Sequence, residues 1–238
     1  MNSSSKVDLR LDWCSYDAAK YAVEHWHYSK TIPVGKLAKF GVWENGEFIG
    51  VVIFGLGGGD ACNGKQYGLA RNFEMAELQR IALTTHVSAV SRIIAISCRL
   101  LHTFCPGLQL LVSYADPEQN HHGGVYQGAG WIYTGRSADN WKAVWPDGRT
   151  AHSRIARDHV QFGVRKTIDI STAQKVPTSG KHRYLFPLTA DLRAKILPLA
   201  QPYPSRDRSI DLDAAGTTSR GRCEPTRSLH PPVSRATI

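Results

Sequence analysis

The chain has 238 residues, 42% hydrophobic and 21% charged, which suits a globular protein with one well-buried core. It has no apolar run of about 18 residues to span a membrane, and the opening MNSSSKVDLRLDW lacks the apolar centre of a secretory signal. A cytoplasmic protein without a membrane segment is therefore expected.

The net charge is +9 and the pI 9.4. The 49 residues from Ala190 onward carry 8 basic and 5 acidic side chains, so a net +6 remains in the body of the chain. A basic body points to an anionic partner, most commonly nucleic acid, or else to a merely soluble basic protein. Composition leaves these two open. The five cysteines show no CxxC spacing, and reduced thiols without a zinc framework are expected.

In chain order, SYDAAKYAVEHWHYSK predicts a helix with Ser15 as N-cap and Ala18, Ala22, Val23 and Trp26 on one face. His27, Tyr28, Ser29 and Lys30 crowd its end. They suit base stacking and phosphate contact. Alternatively Trp26 and Tyr28 pack, while His27 and Lys30 complement the helix dipole. KFGVWENGEFIGVVIFG then reads as a hairpin, with Asn45-Gly46 supplying the positive φ angles of a type I′ turn. The run Gly57-Gly58-Gly59 opens a flexible polar loop to about Gly68.

MAELQRIAL predicts a strand with Glu77 and Gln79 on one face, Leu78 and Arg80 on the other. Charges in a buried strand need a partner or a cleft. SAVSRIIAISCRLLHTFCP predicts an amphipathic helix with Val90, Ile93, Ile94, Ser97 and Leu101 inward, ended by Pro106. LQLLVSYAD follows as a buried strand, completing a βαβ unit with parallel pairing. GVYQGAG reads as a short helix, WIYTGRS as a strand, and KHRYLFPL as the last core segment. The expected catalytic domain is 1–189. Residues 190–238, holding six of the 12 prolines from Pro198 onward, read as a disordered low-complexity tail.

The densest polar cluster is SYADPEQNHHGGVYQ. It begins at the carboxyl end of a parallel strand, where ligands sit in open α/β sheets. Asp116 suits a base or orienter, and Ser113 or Tyr126 a hydrogen-bond or proton donor. The alternative is that Asp116-Pro117 starts a turn with the histidines in solvent. Adjacent His121 and His122 point apart, so one shared metal is not expected of them. GxxxxGKS/T, GxGxxG, HExxH and the zinc-deaminase signature are all absent.

HWHYSKTIPVGK, ELQRIAL, SRIIAISCRLL, SYADPEQNHHGGVYQGAGWIYTG and GKHRYLFPL together resemble the phage Mu Mom family, from about His25 to Leu188. The order of elements resembles the GNAT-type acyltransferase fold. The fold class so implied is α/β (α+β), a GNAT-like single domain with a central mixed sheet, an N-terminal hairpin and flanking helices. The resemblance implies a DNA-modifying enzyme that converts adenine in phage DNA to its N6-carbamoylmethyl form, shielding it from host restriction. Its partner would be double-stranded DNA with the adenine flipped out. The implied catalytic residues are His27, Tyr28, Glu77, Ser113, Tyr114, Asp116 and Tyr126. Ser29, Lys30, Lys36, Arg80 and His121 would contact nucleic acid.

Two departures stand out. Gly130 replaces the asparagine that the family usually carries before the tryptophan of this motif, here Trp131. The glycine loop with which GNAT enzymes cradle coenzyme A is replaced by LTTHVSAVSR. Ser88, Ser91 and Arg92 at that helix start are the residues left to hold a phosphate. The donor is expected to be an activated glycine, such as glycyl-tRNA with tRNA as a second polyanionic partner, or acetyl-coenzyme A. A divalent metal such as iron is a further option. The readings left beside this one are a non-catalytic basic DNA-binding anti-restriction protein and a small-molecule GNAT acyltransferase.

Overall fold

Twelve strands and four α-helices follow in chain order among the described residues. They are β1 (Leu9–Trp13), α1 (Tyr16–Trp26), β2 (Leu37–Glu44), β3 (Glu47–Gly55), β4 (Met75–Leu83), α2 (Val90–Phe104), β5 (Leu110–Ala115) and α3 (Gly124–Gly128). Then come β6 (Ile132–Arg136), β7 (Asn140–Val144), β8 (Thr150–His152), β9 (His159–Gln161), β10 (Val164–Lys166), β11 (Gln174–Thr178), β12 (His182–Pro187) and α4 (Ala190–Ile196). This computed structural model describes residues 7–57, 64–69, 74–153, 159–161, 164–166 and 168–204. The glycine run from Gly58, most of the polar loop after it, and the expected tail from residue 205 lie outside the described residues.

Seven strands form one mixed sheet in the order β1-β2-β3-β4-β5-β12-β6. Every neighbouring pair is antiparallel except β4 and β5, the expected βαβ unit. This is the expected mixed α/β architecture, a central mixed sheet with an N-terminal hairpin and flanking helices. The hairpin turn is as read, with Asn45 at φ 51° and Gly46 at φ 84°. β1 adds an edge strand that the alternation did not announce. Between β6 and β12 the chain builds a separate small sheet in the order β11-β7-β8, together with the two-stranded β9-β10.

Alternation sends Phe40, Val42, Val52, Phe54, Leu78, Leu111 and Tyr184 to one sheet face, which α2 covers with Ile93, Ile94, Cys98 and Leu101. Each fully buried aliphatic side chain there contributes about 1.5–3 kcal/mol, and Ile94→Ala would cost about 2–5 kcal/mol. The other face is covered by two helices. α1 packs Ala19, Ala22 and Val23 on Val51, Ile53 and Ala82, and Ser15 caps it by accepting from the Ala18 N–H at 3.1 Å.

α4 corrects the expected boundary at 189. Thr189 caps it through the Leu192 N–H, and Leu192 and Ile196 are buried against Leu110, Val112, Ile132 and Leu185. Beyond it the Tyr203 hydroxyl donates to the Trp131 carbonyl at 2.6 Å, and the Gln201 N–H to that of Tyr133 at 2.9 Å. Two leucine-class residues spaced four apart are enough to dock a short helix, and composition masked that pattern under the prolines after it.

β4 corrects a second expectation. Arg80 pairs with Ile53 and Leu78 with Phe54, so Gln79 is an extra, bulged residue. Leu78 keeps the α2 face, while Ala82 after the bulge lies on the α1 face. Arg80, two residues from Ala82, therefore shares the face of Glu77, not that of Leu78. The Gln79 side chain anchors the bulge by donating to the Leu56 carbonyl at 3.3 Å.

Candidate active site

Parallel strands β4 and β5 pair only from Met75–Glu77 to Leu110–Val112. Past that point they separate. The wedge opens into a cleft of about 1450 Å³ whose lining includes Glu77, Arg80, Tyr114, Tyr126, His27 and His121. At its apex a side chain replaces the missing ladder. The Ser113 hydroxyl bonds the Leu78 carbonyl at 2.9 Å and the Tyr126 hydroxyl at 2.8 Å. A carbonyl only accepts and serine has one proton. When Ser113 donates to Leu78, Tyr126 therefore donates to Ser113, giving a directed chain Tyr126, Ser113, Leu78. Burial pushes the Tyr126 phenol up to about 12, against the lowering effect of the Ser113 bond, so it is neutral and holds its proton.

The segment after α1 forms one wall. The Ser29 N–H donates to His27 Nδ1 at 3.1 Å, with the Ser29 hydroxyl 2.8 Å from the same nitrogen. This assigns the ring proton to Nε2. His27 is buried, and its pKa falls to about 4, through burial first and then the charges of Arg80, His121 and Lys30. It is a neutral imidazole at physiological pH. Tyr28 lies 4.3 Å from the His27 ring and 5.8 Å, edge-on, from that of His121, with half its surface exposed. Arg80 ties this wall to β4, its Nε donating to the Thr31 carbonyl at 3.3 Å and a terminal nitrogen to Gln79 O at 2.8 Å.

The opposite wall is the loop from Asn120 to Gly124. Tyr184 of β12, absent from the expected site, holds it. Its hydroxyl donates to the His122 carbonyl and accepts from Gln127 Nε2 at 3.1 Å. Gly123 lies against that ring at φ 83°, where an added Cβ would collide with Tyr184 Cε2. The signal was present in RYLFPL, since a tyrosine on a central strand needs a partner for its hydroxyl.

Other expected residues sit elsewhere. Asp116 starts the turn, its Oδ1 accepting from the Glu118 N–H at 3.0 Å, while Oδ2 pairs with Lys181 Nζ at 2.9 Å. That is the turn-starting alternative, and it brings Lys181, not Asp116, to the cleft lining. Lys142 ties the small sheet to the same turn through Glu118 at 3.0 Å. Lys30, at φ 50°, donates from Nζ to the His25 carbonyl at 2.7 Å, which is the helix-end alternative. Lys36 is exposed in the loop before β2.

At the start of α2, Arg92 is exposed and Ser91 faces α3, 3.1 Å from where a Gly128 Cβ would stand. The amides of Val87 and Ser88 are taken by the carboxylate of Glu44, at 2.8 Å each. This corrects the expectation that Ser88 is open to a phosphate. Among the described residues no cluster of three or more His, Cys, Asp or Glu side chains is set to hold a metal ion. Gly130 adopts φ 78° with open space around it. An asparagine also tolerates that left-handed conformation better than most residues, so the departure there is conservative for the backbone.

The model of the Mom protein family matches residues 8–205, a span that runs past 189 and takes in α4 and Tyr203. No curated protein matches the chain. In structure the chain is similar to a Bacillus subtilis acetyltransferase in complex with CoA, at 12% identity and TM-score 0.44, over 77% of this chain and 100% of that one. It is similar to the aminoglycoside acetyltransferase AAC(6')-Ib with coenzyme A and kanamycin, at 13% identity and TM-score 0.42, over 79% and 98%. It is also similar to FeeM, an N-acyl amino acid synthase from uncultured soil microbes, at 12% identity and TM-score 0.44, over 81% and 96%.

Proposed function

Because the chain belongs to the Mom protein family, we propose that it is a transferase that converts adenine in phage DNA to N6-carbamoylmethyladenine and so protects the DNA from host restriction. Family and fold support an acyl-transfer type of function. The observation that carries the finer reading is the wedge between β4 and β5, with a buried Tyr126–Ser113 chain at its apex and aromatic and basic groups at its mouth. Its volume of about 1450 Å³ exceeds the roughly 300–1,000 Å³ of small-molecule pockets, which suits a flipped nucleotide together with a second substrate.

A base inside a duplex cannot be reached until it leaves the stack. The half-exposed Tyr28 ring offers it a stacking surface, and the net positive body draws the phosphates. The adenine N6 is a weak nucleophile because its lone pair is delocalised into the ring. It must lose a proton as it attacks, and the Glu77 carboxylate on the cleft wall is the acceptor in this reading. Negative charge then grows on the donor's carbonyl oxygen. The His27 Nε2–H, fixed by the Ser29 amide on the other nitrogen, is available to donate to it.

With an activated glycine as donor, N6 attacks the glycyl carbonyl and the ester oxygen of the carrier leaves with a proton. The free glycyl amine then attacks the ring carbon, and the old carbon–nitrogen bond breaks. The product is the isomeric N6-carbamoylmethyladenine. Mass analysis of nucleosides from DNA of cells expressing the chain tests the reading, and unmodified adenine throughout would overturn it. Glycine labelled in carbon and nitrogen tests the donor. Its two carbons and nitrogen should enter the base together, whereas separate origins would exclude it.

A further inference from the structure

The row Phe40, Val42 and Glu44 on β2 faces α2, with the first two in the core and the third at the strand end. Strand alternation thus points a carboxylate at the loop that leads into α2. That helix has Ala89 as its N-cap residue, with no side-chain cap of its own. The Glu44 carboxylate, only 7% exposed, takes the Val87 and Ser88 N–H groups one on each oxygen, at 2.8 Å. The end of β4 is held to the hairpin beside it by the Thr84 N–H on the Ile49 carbonyl at 2.9 Å. Unpaired amides in front of a helix form a ready anion site, and here the anion belongs to the chain.

We propose that Glu44 is a resident anion that closes the Val87–Ser88 amides to phosphate, making the enzyme select a donor that does not bind through a pyrophosphate in front of α2. The inference rests on the acyl-transfer reading and adds its specificity determinant. Two observations support it independently of any relative. The Ser88 side chain beside it and the Val87 amide hold the Glu44 carboxyl below its ordinary value, so it is ionised at neutral pH. The loop LTTHVSA also lacks the glycines that let a backbone approach a pyrophosphate closely. A second anion entering these amides must displace a charge-assisted pair from a buried position, which disfavours it strongly.

The test is binding, separate from modification, so its outcome does not depend on whether DNA is the substrate. Inorganic pyrophosphate and coenzyme A are titrated calorimetrically into the full chain and into Glu44→Ala and Glu44→Gln, each checked for folding by circular dichroism. The wild type should bind neither probe at about 1 mM, and Glu44→Ala should bind pyrophosphate on the order of tenfold or more tighter. Tight binding of either probe by the wild type, or no gain in a folded Glu44→Ala, would overturn the proposal. Should the variants fail to fold, amide exchange in the wild type decides. The Val87 and Ser88 amides should exchange at the same rate with and without pyrophosphate, and slowing on its addition would refute the resident anion.

Discussion

Ser113 and Tyr126, thirteen residues apart, meet through their hydroxyls at 2.8 Å in the apex of the β4–β5 wedge, and the same serine oxygen reaches the Leu78 carbonyl at 2.9 Å. The contact joins structure to chemistry. Ser113→Ala leaves both the carbonyl and the phenol unpaired in a buried place, at about 1–3 kcal/mol for each such group. Tyr126→Phe leaves Ser113 its bond to Leu78 and should cost about 1 kcal/mol. Chemical denaturation should therefore rank Ser113→Ala as the less stable variant. Tyr126→Phe should remain folded and lose DNA modification with DNA affinity nearly unchanged. A fully active Tyr126→Phe would make the phenol purely structural.

Asp116 acts through Lys181 if the 2.9 Å pair is its function. Asp116→Asn and Lys181→Met should then reduce modification by similar factors, and the double variant by no more than either alone. Additive losses would show that Asp116 has a separate role in the chemistry.

The neutral imidazole of His27 makes a signed prediction. Its folded pKa of about 4 lies below the ordinary 6.5, so below pH 6.5 the unfolded chain takes up a proton that the fold refuses. Stability from this residue is complete above 6.5 and is lost as pH falls towards 4. In His27→Asn, which keeps an acceptor for the Ser29 amide, thermal melts should show a shallower fall across that window. An unchanged slope would mean that His27 is protonated in the fold.

The chain should tolerate ending at Pro204 but not at Thr189. Leu192 and Ile196 are buried, each worth about 1.5–3 kcal/mol, and their loss would bare Ile132 and Leu185. Thermal denaturation of the two truncations checks this, and equal stability would remove α4 from the folded unit.

Much of this architecture is legible in the residues. The α2 stripe of Ile93, Ile94, Ser97 and Leu101, the Ser15 cap and the Asn45-Gly46 turn follow from local periodicity and turn chemistry alone. Of the candidate site, His27, Tyr28, Glu77, Arg80, Tyr114, His121 and Tyr126 converge on one cleft. What local pattern could not supply was long-range. Glu44 meets Ser88 across 44 positions, and Lys181 meets Asp116. Tyr184 reaches His122 across 62. Such partners are set by strand order, which a run of side chains does not encode.

The single unpaired residue in β4 also sets how variation in this strand should be interpreted. Gln79 acts as a half-period offset, so that Glu77 and Arg80 stand three apart yet look the same way. Deleting it would restore strict alternation from Met75 to Leu83, turning Arg80 into the α2 core or else Glu77 out of the cleft. A one-residue gap here is thus an inversion of the charge pattern, whereas a substitution of Gln79 that keeps the count leaves both charges in place. In aligning or engineering this strand, the number of residues between Leu78 and Ala82 matters more than their identity.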